Sequence, residues 1–108
     1  MNHSIIRDIY KGVKMKLFSL SYFVITRKID LNMQIIEEEK NLILWNDKVT
    51  SEEQTFLLKA IHDISFKPSR NQYKMLYLHT NRGVFSFVVK DNPEEMIRLI
   101  KSRIKDYQ

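Results

Sequence analysis

Apolar and polar positions alternate along much of the chain, and this period of two predicts β-strands. Residues 17–27 are rich in aromatic and β-branched side chains, which fit a pleated and half-buried surface. Residues 31–38 and 42–45 are two further candidate strands. The polar run Glu39-Lys40-Asn41 between them predicts a turn.

The clearest alternation lies in residues 73–90, which predict a β-hairpin. Its two strands flank Asn81-Arg82-Gly83, where Gly83 can supply the positive φ that a tight turn requires. Both strands carry apolar residues on both faces. This pattern indicates a strongly curved sheet or small barrel that a helix partly covers.

Residues 50–64 fit two patterns. Ser51 and Gln54 have the spacing of a capping box, and the apolar residues that follow recur at helical intervals. Ile64 and Phe66 instead alternate as in a strand, and they lead into a predicted turn at residues 67–71. We favour a strand with an irregular turn, and a helix is the alternative.

A helix is predicted after residue 91. Asn92 can accept hydrogen bonds from the free backbone donors of the first turn, and Pro93 stands where its missing N–H costs nothing. A single apolar stripe predicts that this helix lies against a sheet with its other face in water. The stripe consists of Met96, Ile97, Ile100, Ile104 and Tyr107.

A run of strands followed by one terminal helix predicts an α+β fold. We expect a strongly bent antiparallel sheet, or partly open barrel, closed by the C-terminal helix. The 108 residues support a single domain spanning residues 1–108. Residues 1–14 fit a short helix from Ser4, an edge strand over 9–15, or a peripheral extension of the domain.

Two features bear on the compartment. The apolar stretch at residues 17–25 is shorter than the roughly 20 residues that a membrane span needs, and no small-residue cleavage site follows it. The chain has no Cys, which removes disulfides and thiolate metal sites. We therefore expect a cytoplasmic protein.

Residues 58–104 resemble the C-terminal half of bacterial pleckstrin-homology-like (PH-like) domains. The resemblance rests on Leu58–Ile64 as a strand with a short turn, on the hairpin Met75–Val89, and on the helix entry Lys90–Ile97. It implies a bent sheet of about seven strands closed at one end by the helix, and a role in binding or assembly. No motif matches the basic strand-loop-strand unit of the members that bind phosphoinositides, so the resemblance does not imply lipid binding.

The net charge of +5 raises the local concentration of polyanions such as nucleic acid or anionic lipid headgroups, but the chain has no dense basic run and we favour an ordinary solvated surface. A tryptophan at a strand end is the aromatic residue that we most expect to be exposed, where it would anchor a partner. The candidate contacts with a partner or polyanion are Lys11, Lys14, Lys16, Arg27, Lys28 and Trp45.

Residues with catalytic or metal-binding chemistry do not form a recognisable motif. The three histidines, His3, His62 and His79, have no metal-ligand spacing. Glu37-Glu38-Glu39 is expected at the solvated tip of a hairpin, and no phosphate loop or Gly-x-Ser-x-Gly motif is present. We assign no catalytic, cofactor or metal residue and expect no small-molecule substrate.

The aromatic residues of the hairpin fit either the core or a stacking surface for single-stranded nucleic acid. We favour the core, because a domain of this size needs most of its aromatic side chains inside. The residues concerned are Tyr73, Tyr77, Phe85 and Phe87.

These observations predict a binding and assembly module without enzymatic activity, which acts through contact with a protein partner or with itself. The alternatives are a small basic nucleic-acid-binding protein and a peripheral binder of anionic membrane surfaces.

Overall fold

The computed structural model describes residues 15–29 and 31–107. Within these residues the chain forms seven strands, one α-helix, and two 3₁₀ turns at Leu58–Ala60 and Lys105–Tyr107. The interpretations offered for residues 1–14, including Lys11 and Lys14, lie outside the described residues. The elements are β1 (Lys16–Lys28), β2 (Gln34–Trp45), β3 (Lys48–Thr50), β4 (Thr55–Leu57), β5 (Ile61–Pro68), β6 (Lys74–Thr80), β7 (Gly83–Val89) and α1 (Glu94–Ile104).

The strands form one antiparallel sheet in the order β4-β3-β2-β1-β7-β6-β5. β1 and β2 pair along almost their whole length, whereas β1 and β7 are joined only at the pair Phe23–Val88 among the described residues. β4 and β5 are the two edges, so the sheet is not closed. The predicted α+β class and the C-terminal helix are confirmed.

The core lies between the inward faces of both halves of the sheet and α1. Leu42 and Leu44 of β2 are fully buried, as are Leu76 and Leu78 of β6. α1 contributes Met96, Ile100 and Ile104, as predicted. Tyr107 was predicted on the same stripe, but it is 53% exposed, because it lies in the 3₁₀ turn after α1 ends.

The predicted turn at Glu39-Lys40-Asn41 is wrong, because β2 runs unbroken from Gln34 to Trp45. Each of these polar residues lies opposite a β1 residue, and Ser21 donates a hydrogen bond to Glu39 at 3.4 Å. Glu37-Glu38-Glu39 therefore lies in the middle of a strand and not at a hairpin tip. The chain turns instead after β1, where residues 31 and 32 form the turn.

Residues 50–64 follow the favoured interpretation of strands with an irregular turn. Ser51 and Gln54 close a turn between β3 and β4, in which the Gln54 N–H donates to the Ser51 hydroxyl at 3.1 Å. The capping pattern thus serves a β-turn and not a helix. A 3₁₀ turn then leads into β5.

The hairpin of β6 and β7 and the start of α1 are also confirmed. Gly83 has φ +115°, as its place in the turn requires. The Asn92 side chain accepts a hydrogen bond from the Glu94 N–H at 3.0 Å. The expected core position holds for only part of the aromatic residues of this hairpin. Phe87 is buried, whereas Tyr73 and Tyr77 are half-buried on the outer face of the sheet. Odd-numbered positions of β6 point away from the core that Leu76 and Leu78 occupy.

Candidate interaction surface at the β1–β2 arm

The distal part of the β1–β2 hairpin projects from the sheet as a two-stranded ribbon. β1 continues to Lys28, five residues past the pair Phe23–Val88 that joins it to β7. β3 pairs with β2 only at Ile43 and Leu44. Both edges of the ribbon therefore have no strand partner in the part of the chain that the structure describes. We call residues 24–29 and 31–38 the arm.

The tip of the arm carries a cluster of exposed apolar side chains. Their exposed fractions are 89% for Ile29, 104% for Leu31, 77% for Met33 and 69% for Ile35. Met33 also has φ 39°, a left-handed conformation that is uncommon for a bulky residue. Soluble proteins seldom expose so many large apolar groups together, and such patches mark binding sites.

The arm has two distinct faces. β1 alternates, so the face that carries the buried Leu20 and Tyr22 continues outward along even-numbered positions. With the observed register, this inner face carries the cross-strand pairs Val24–Glu38, Thr26–Ile36 and Lys28–Gln34. The outer face carries the pairs Ile25–Glu37 and Arg27–Ile35.

A groove opens at the root of the arm, where β1 and β7 separate. It has a volume of about 530 Å³, and its lining includes the aromatic side chains of Tyr22 and Phe87. Val24, Glu38 and Lys40 also line it. We call this cavity the root groove. The Lys40 ammonium lies 4.0 Å from the Glu38 carboxylate and 3.9 Å from the Glu52 carboxylate. The rim of the root groove therefore carries both positive and negative charge.

On the outer face, Glu37 joins the arm to the second half of the sheet. Its carboxylate accepts a hydrogen bond from the Tyr73 hydroxyl at 2.7 Å and lies 2.5 Å from the Lys90 ammonium. The Lys90 ammonium also lies 4.4 Å from the centre of the Phe23 ring. We call Glu37, Tyr73 and Lys90 the Glu37 cluster.

The Glu37 cluster shifts the titration of its members. The hydrogen bonds from Lys90 and Tyr73 hold the pKa of Glu37 below its ordinary value of 4.5. The same contacts raise the pKa of Tyr73 and of Lys90, because each of them is stabilised in its protonated form by the carboxylate. The cluster is fully formed near neutral pH.

The structure does not bring the predicted basic contacts together. Lys16 begins β1 and Lys28 ends it, which separates them by roughly 40 Å along an extended strand. Arg27 and Lys28 both lie on the arm, next to its apolar tip. Trp45 is half-buried at the other end of the strand pair, opposite Lys16, and its indole N–H donates to the Thr50 hydroxyl at 2.8 Å.

One pair of side chains has the chemistry of a nucleophile and a base. Ser65 and His79 lie on the outer face of β5 and β6, with the Ser65 hydroxyl 3.0 Å from His79 Nε2. Neither the root groove nor the smaller cavity beside Tyr107 is lined by these residues. A hydrolytic nucleophile also needs donors for an oxyanion and a bound substrate, and a flat sheet face offers neither. Among the described residues, no group of His, Asp and Glu is placed to hold a metal ion.

Comparison of the chain with protein-family models gives no match, and comparison with curated proteins gives none. No helix in residues 15–29 and 31–107 is both long enough and apolar enough to cross a membrane.

Sequence reasoning found Arg27 and Lys28 but missed the apolar tip. Residues 29, 31, 33 and 35 are apolar at every second position, and polar residues stand between them. Such alternation in a segment that contains a turn indicates apolar groups at the exposed end of a hairpin. The prediction made residues 31–38 a strand and placed a turn at residues 39–41, so the exposure of the tip was not anticipated.

Proposed function

We propose that this chain is a PH-like binding and assembly module without enzymatic activity, and that it acts through contact between its arm and a protein. The observation that carries the proposal is the exposure of the four apolar side chains at the arm tip. The seven antiparallel strands and the C-terminal helix support the PH-like part of the proposal, because a sheet of about seven strands with a closing helix is what the resemblance implies.

The unpaired edges of the arm favour a protein partner. An isolated two-stranded ribbon is marginally stable in water, and its free N–H and C=O groups are suited to pairing with another strand. A protein surface can cover the apolar tip and satisfy the backbone at the same time.

Attachment to an anionic membrane is the second candidate, because Arg27 and Lys28 flank the apolar tip. Two features oppose it. Open sheet edges do not enter the hydrocarbon region of a bilayer, since their backbone groups would lose their hydrogen bonds. Glu37, Glu38 and Glu39 also follow on the next strand and would be repelled by anionic headgroups.

The proposal is tested by photo-crosslinking in cells with a photoreactive amino acid in place of Leu31. We expect discrete protein adducts that disappear when Met33→Asp is added. A photoreactive residue in place of Val84, which is 59% exposed at the β6–β7 turn, is the matched control and should give none. Absence of adducts at position 31, together with tip-dependent flotation on anionic vesicles, would refute the proposal.

A further inference from the structure

The free edge of β2 is long enough to pair with another strand. β2 runs from Gln34 to Trp45, and β3 pairs with it only at Ile43 and Leu44. On the side away from β1, residues 34–42 therefore have no strand partner within the part of the chain that the structure describes. A two-stranded ribbon is only marginally stable in water, whereas three or more strands can form a stable sheet. A strand added at this edge would therefore stabilise the arm.

A second copy of the same edge fits beside it in one antiparallel register. Directly opposite residues point to the same face, so a two-fold axis perpendicular to the sheet must lie level with a residue. With the axis at Ile36, Gln34 of each copy lies opposite Glu38 of the other. Ile35 then lies opposite Glu37. An axis at Glu37 or Glu38 would place an acidic residue opposite itself, which is destabilising, and an axis nearer the tip would shorten the pairing.

The basic residues of β1 lie one strand further along the same rows. Lys28 pairs with Gln34, so it lies two strands away from Glu38 of the other copy and on the same inner face. Arg27 lies at the level of Glu37 of the other copy, on the outer face. Cα atoms two strands apart are separated by roughly 10 Å, which a basic and an acidic side chain together can bridge. The basic part of each arm therefore meets the acidic part of the other.

The position of β3 is compatible with this register. The turn of each arm, at residues 31–32, would come level with residues 40–41 of the other copy. β3 occupies the edge only from Ile43 onward. The chain after β3 bends toward the inner face, where the Glu52 N–H donates a hydrogen bond to the Tyr22 hydroxyl at 3.0 Å. The tip of one arm therefore ends before it meets β3 of the other copy.

We propose that two copies of this chain associate by antiparallel pairing of residues 34–38 of their β2 edges about a two-fold axis at Ile36. The two arms then form one four-stranded sheet, with an apolar tip at each end. This inference rests on the proposed function of an assembly module and names its partner. Two-fold symmetry repeats the Gln34–Glu38 and Lys28–Glu38 contacts, so each occurs twice.

Disulfide formation tests the position of the axis. The chain contains no cysteine, so Ile36→Cys introduces a single thiol. Opposite residues of an antiparallel pair have Cα atoms roughly 4.5–5.5 Å apart, a separation that a disulfide spans. Mild oxidation should therefore convert most of this variant to a covalent dimer. Asn41→Cys, at an exposed position of the same strand, is the matched control and should stay monomeric, because its two thiols would lie roughly 30 Å apart.

A mixture of two variants tests the register. Gln34→Cys and Glu38→Cys place their thiols opposite each other only when the two proteins associate with one another. We expect a disulfide-linked heterodimer from the mixture and little covalent dimer from either variant alone, since like thiols would lie roughly 13 Å apart.

A charge exchange tests the contact between Lys28 and Glu38. Lys28→Glu and Glu38→Lys are each expected to raise the dimer dissociation constant about tenfold, because an attractive contact becomes repulsive at two places. The double variant Lys28→Glu/Glu38→Lys should restore most of the association. Sedimentation velocity over a concentration series measures this, and the melting temperature of each variant shows that it is folded.

The possible results separate this inference from the proposed function. Sedimentation as a monomer at every concentration, with no disulfide from Ile36→Cys, overturns the inference. If a photoreactive residue at position 31 still captures a different protein in cells, the assembly function stands with another partner. A disulfide yield from Asn41→Cys equal to that from Ile36→Cys, or a dissociation constant that neither charge reversal changes, also overturns the pairing of the β2 edges.

Discussion

Glu37 contacts two side chains that are far away in the sequence. Tyr73 is 36 residues further along the chain and Lys90 is 53 residues further. Glu37 belongs to the arm, whereas Tyr73 and Lys90 flank the strands β6 and β7. A single carboxylate thus connects the arm to the half of the sheet with which β1 forms one backbone strand pair among the described residues.

The variant Glu37→Gln should be less stable than the wild type, by an amount that depends on pH. The lowered pKa of Glu37 means that its contribution is complete above pH 4.5 and is lost as pH falls through that lowered pKa. The raised pKa of Lys90 means that the contribution is complete below pH 10.5 and is lost as pH rises through that raised pKa. The difference in melting temperature between wild type and variant should therefore be level near neutrality and shrink at both extremes.

Glu95→Gln is the control for this prediction. Glu95 pairs with Arg98 on α1, which lowers the pKa of Glu95 and raises the pKa of Arg98, a group that stays protonated in moderate alkali in any case. Its difference curve should shrink in acid but not in moderate alkali. A Glu37→Gln difference that stays constant at every pH would contradict the Glu37 cluster.

Leu78 lies in the middle of β6 and is fully buried in the core. Leu78→Ala is expected to lower the free energy of unfolding by about 2–5 kcal/mol, because it removes buried apolar contacts and leaves a cavity. Urea denaturation measures the loss. Val84→Ala, on the exposed face of β7, should change the free energy of unfolding by less than about 0.5 kcal/mol.

At the scale of elements, pairing decides structure where local composition does not. The run from Glu37 to Asn41 is polar, yet it is a strand because β1 pairs with every residue of it. Conversely, Ser51 and Gln54 have a helical pattern but close a β-turn, since β3 and β4 pair on either side of them.

The β6–β7 turn is an element whose conformation one residue determines. Gly83 has φ +115°, and a Cβ at this position would have no heavy atom within 4 Å. Gly83→Ala should therefore cost about 1 kcal/mol or more through backbone strain alone, not through a clash. Thermal and urea unfolding measure the cost, with Ser86→Ala on the exposed face of the same strand as the control. An unchanged stability would show that the turn relaxes to another conformation.

At the scale of the molecule, the arm differs in role from the rest of the described chain, which we call the body. The buried core is made of residues from the body, and the arm supplies no fully buried side chain among its described residues. The body supplies the core and most of the lining of the root groove, while the arm carries the exposed apolar tip. Because the core residues lie outside the arm, we expect substitutions and deletions in the arm to leave the fold of the body intact.

Removal of residues 27–28 and 34–35 tests the division. These are two facing positions on each strand, so the deletion shortens the arm and keeps the inner and outer faces in phase. We expect the free energy of unfolding to change by less than about 1 kcal/mol, because no core contact is removed. We also expect fewer protein adducts at position 31 in cells, because the shortened arm loses Arg27, Lys28 and Ile35 beside the tip. A large loss of cooperativity in urea unfolding would show that the arm belongs to the core.

The sequence by itself determined the hairpin of β6 and β7, the helix that follows Asn92 and the positive φ of Gly83. These features depend on local causes: side-chain period, the capping of free N–H groups, and the lack of a Cβ. It also determined the α+β class, because a run of strands and one terminal helix leave few arrangements. The basic residues Arg27 and Lys28 could also be identified from the sequence, because they are adjacent along the chain.

Only the tertiary structure decided where the polar strand residues and the outer aromatic residues lie. Composition predicted a turn at Glu39-Lys40-Asn41, whereas pairing with β1 makes these residues part of a strand. Composition also predicted a core position for Tyr73, whereas its hydroxyl donates a hydrogen bond to Glu37 on the outer face. The arm itself follows from where β1 separates from β7. Each of these outcomes depends on contacts between residues far apart in the sequence, and such contacts leave no periodic pattern in either segment alone.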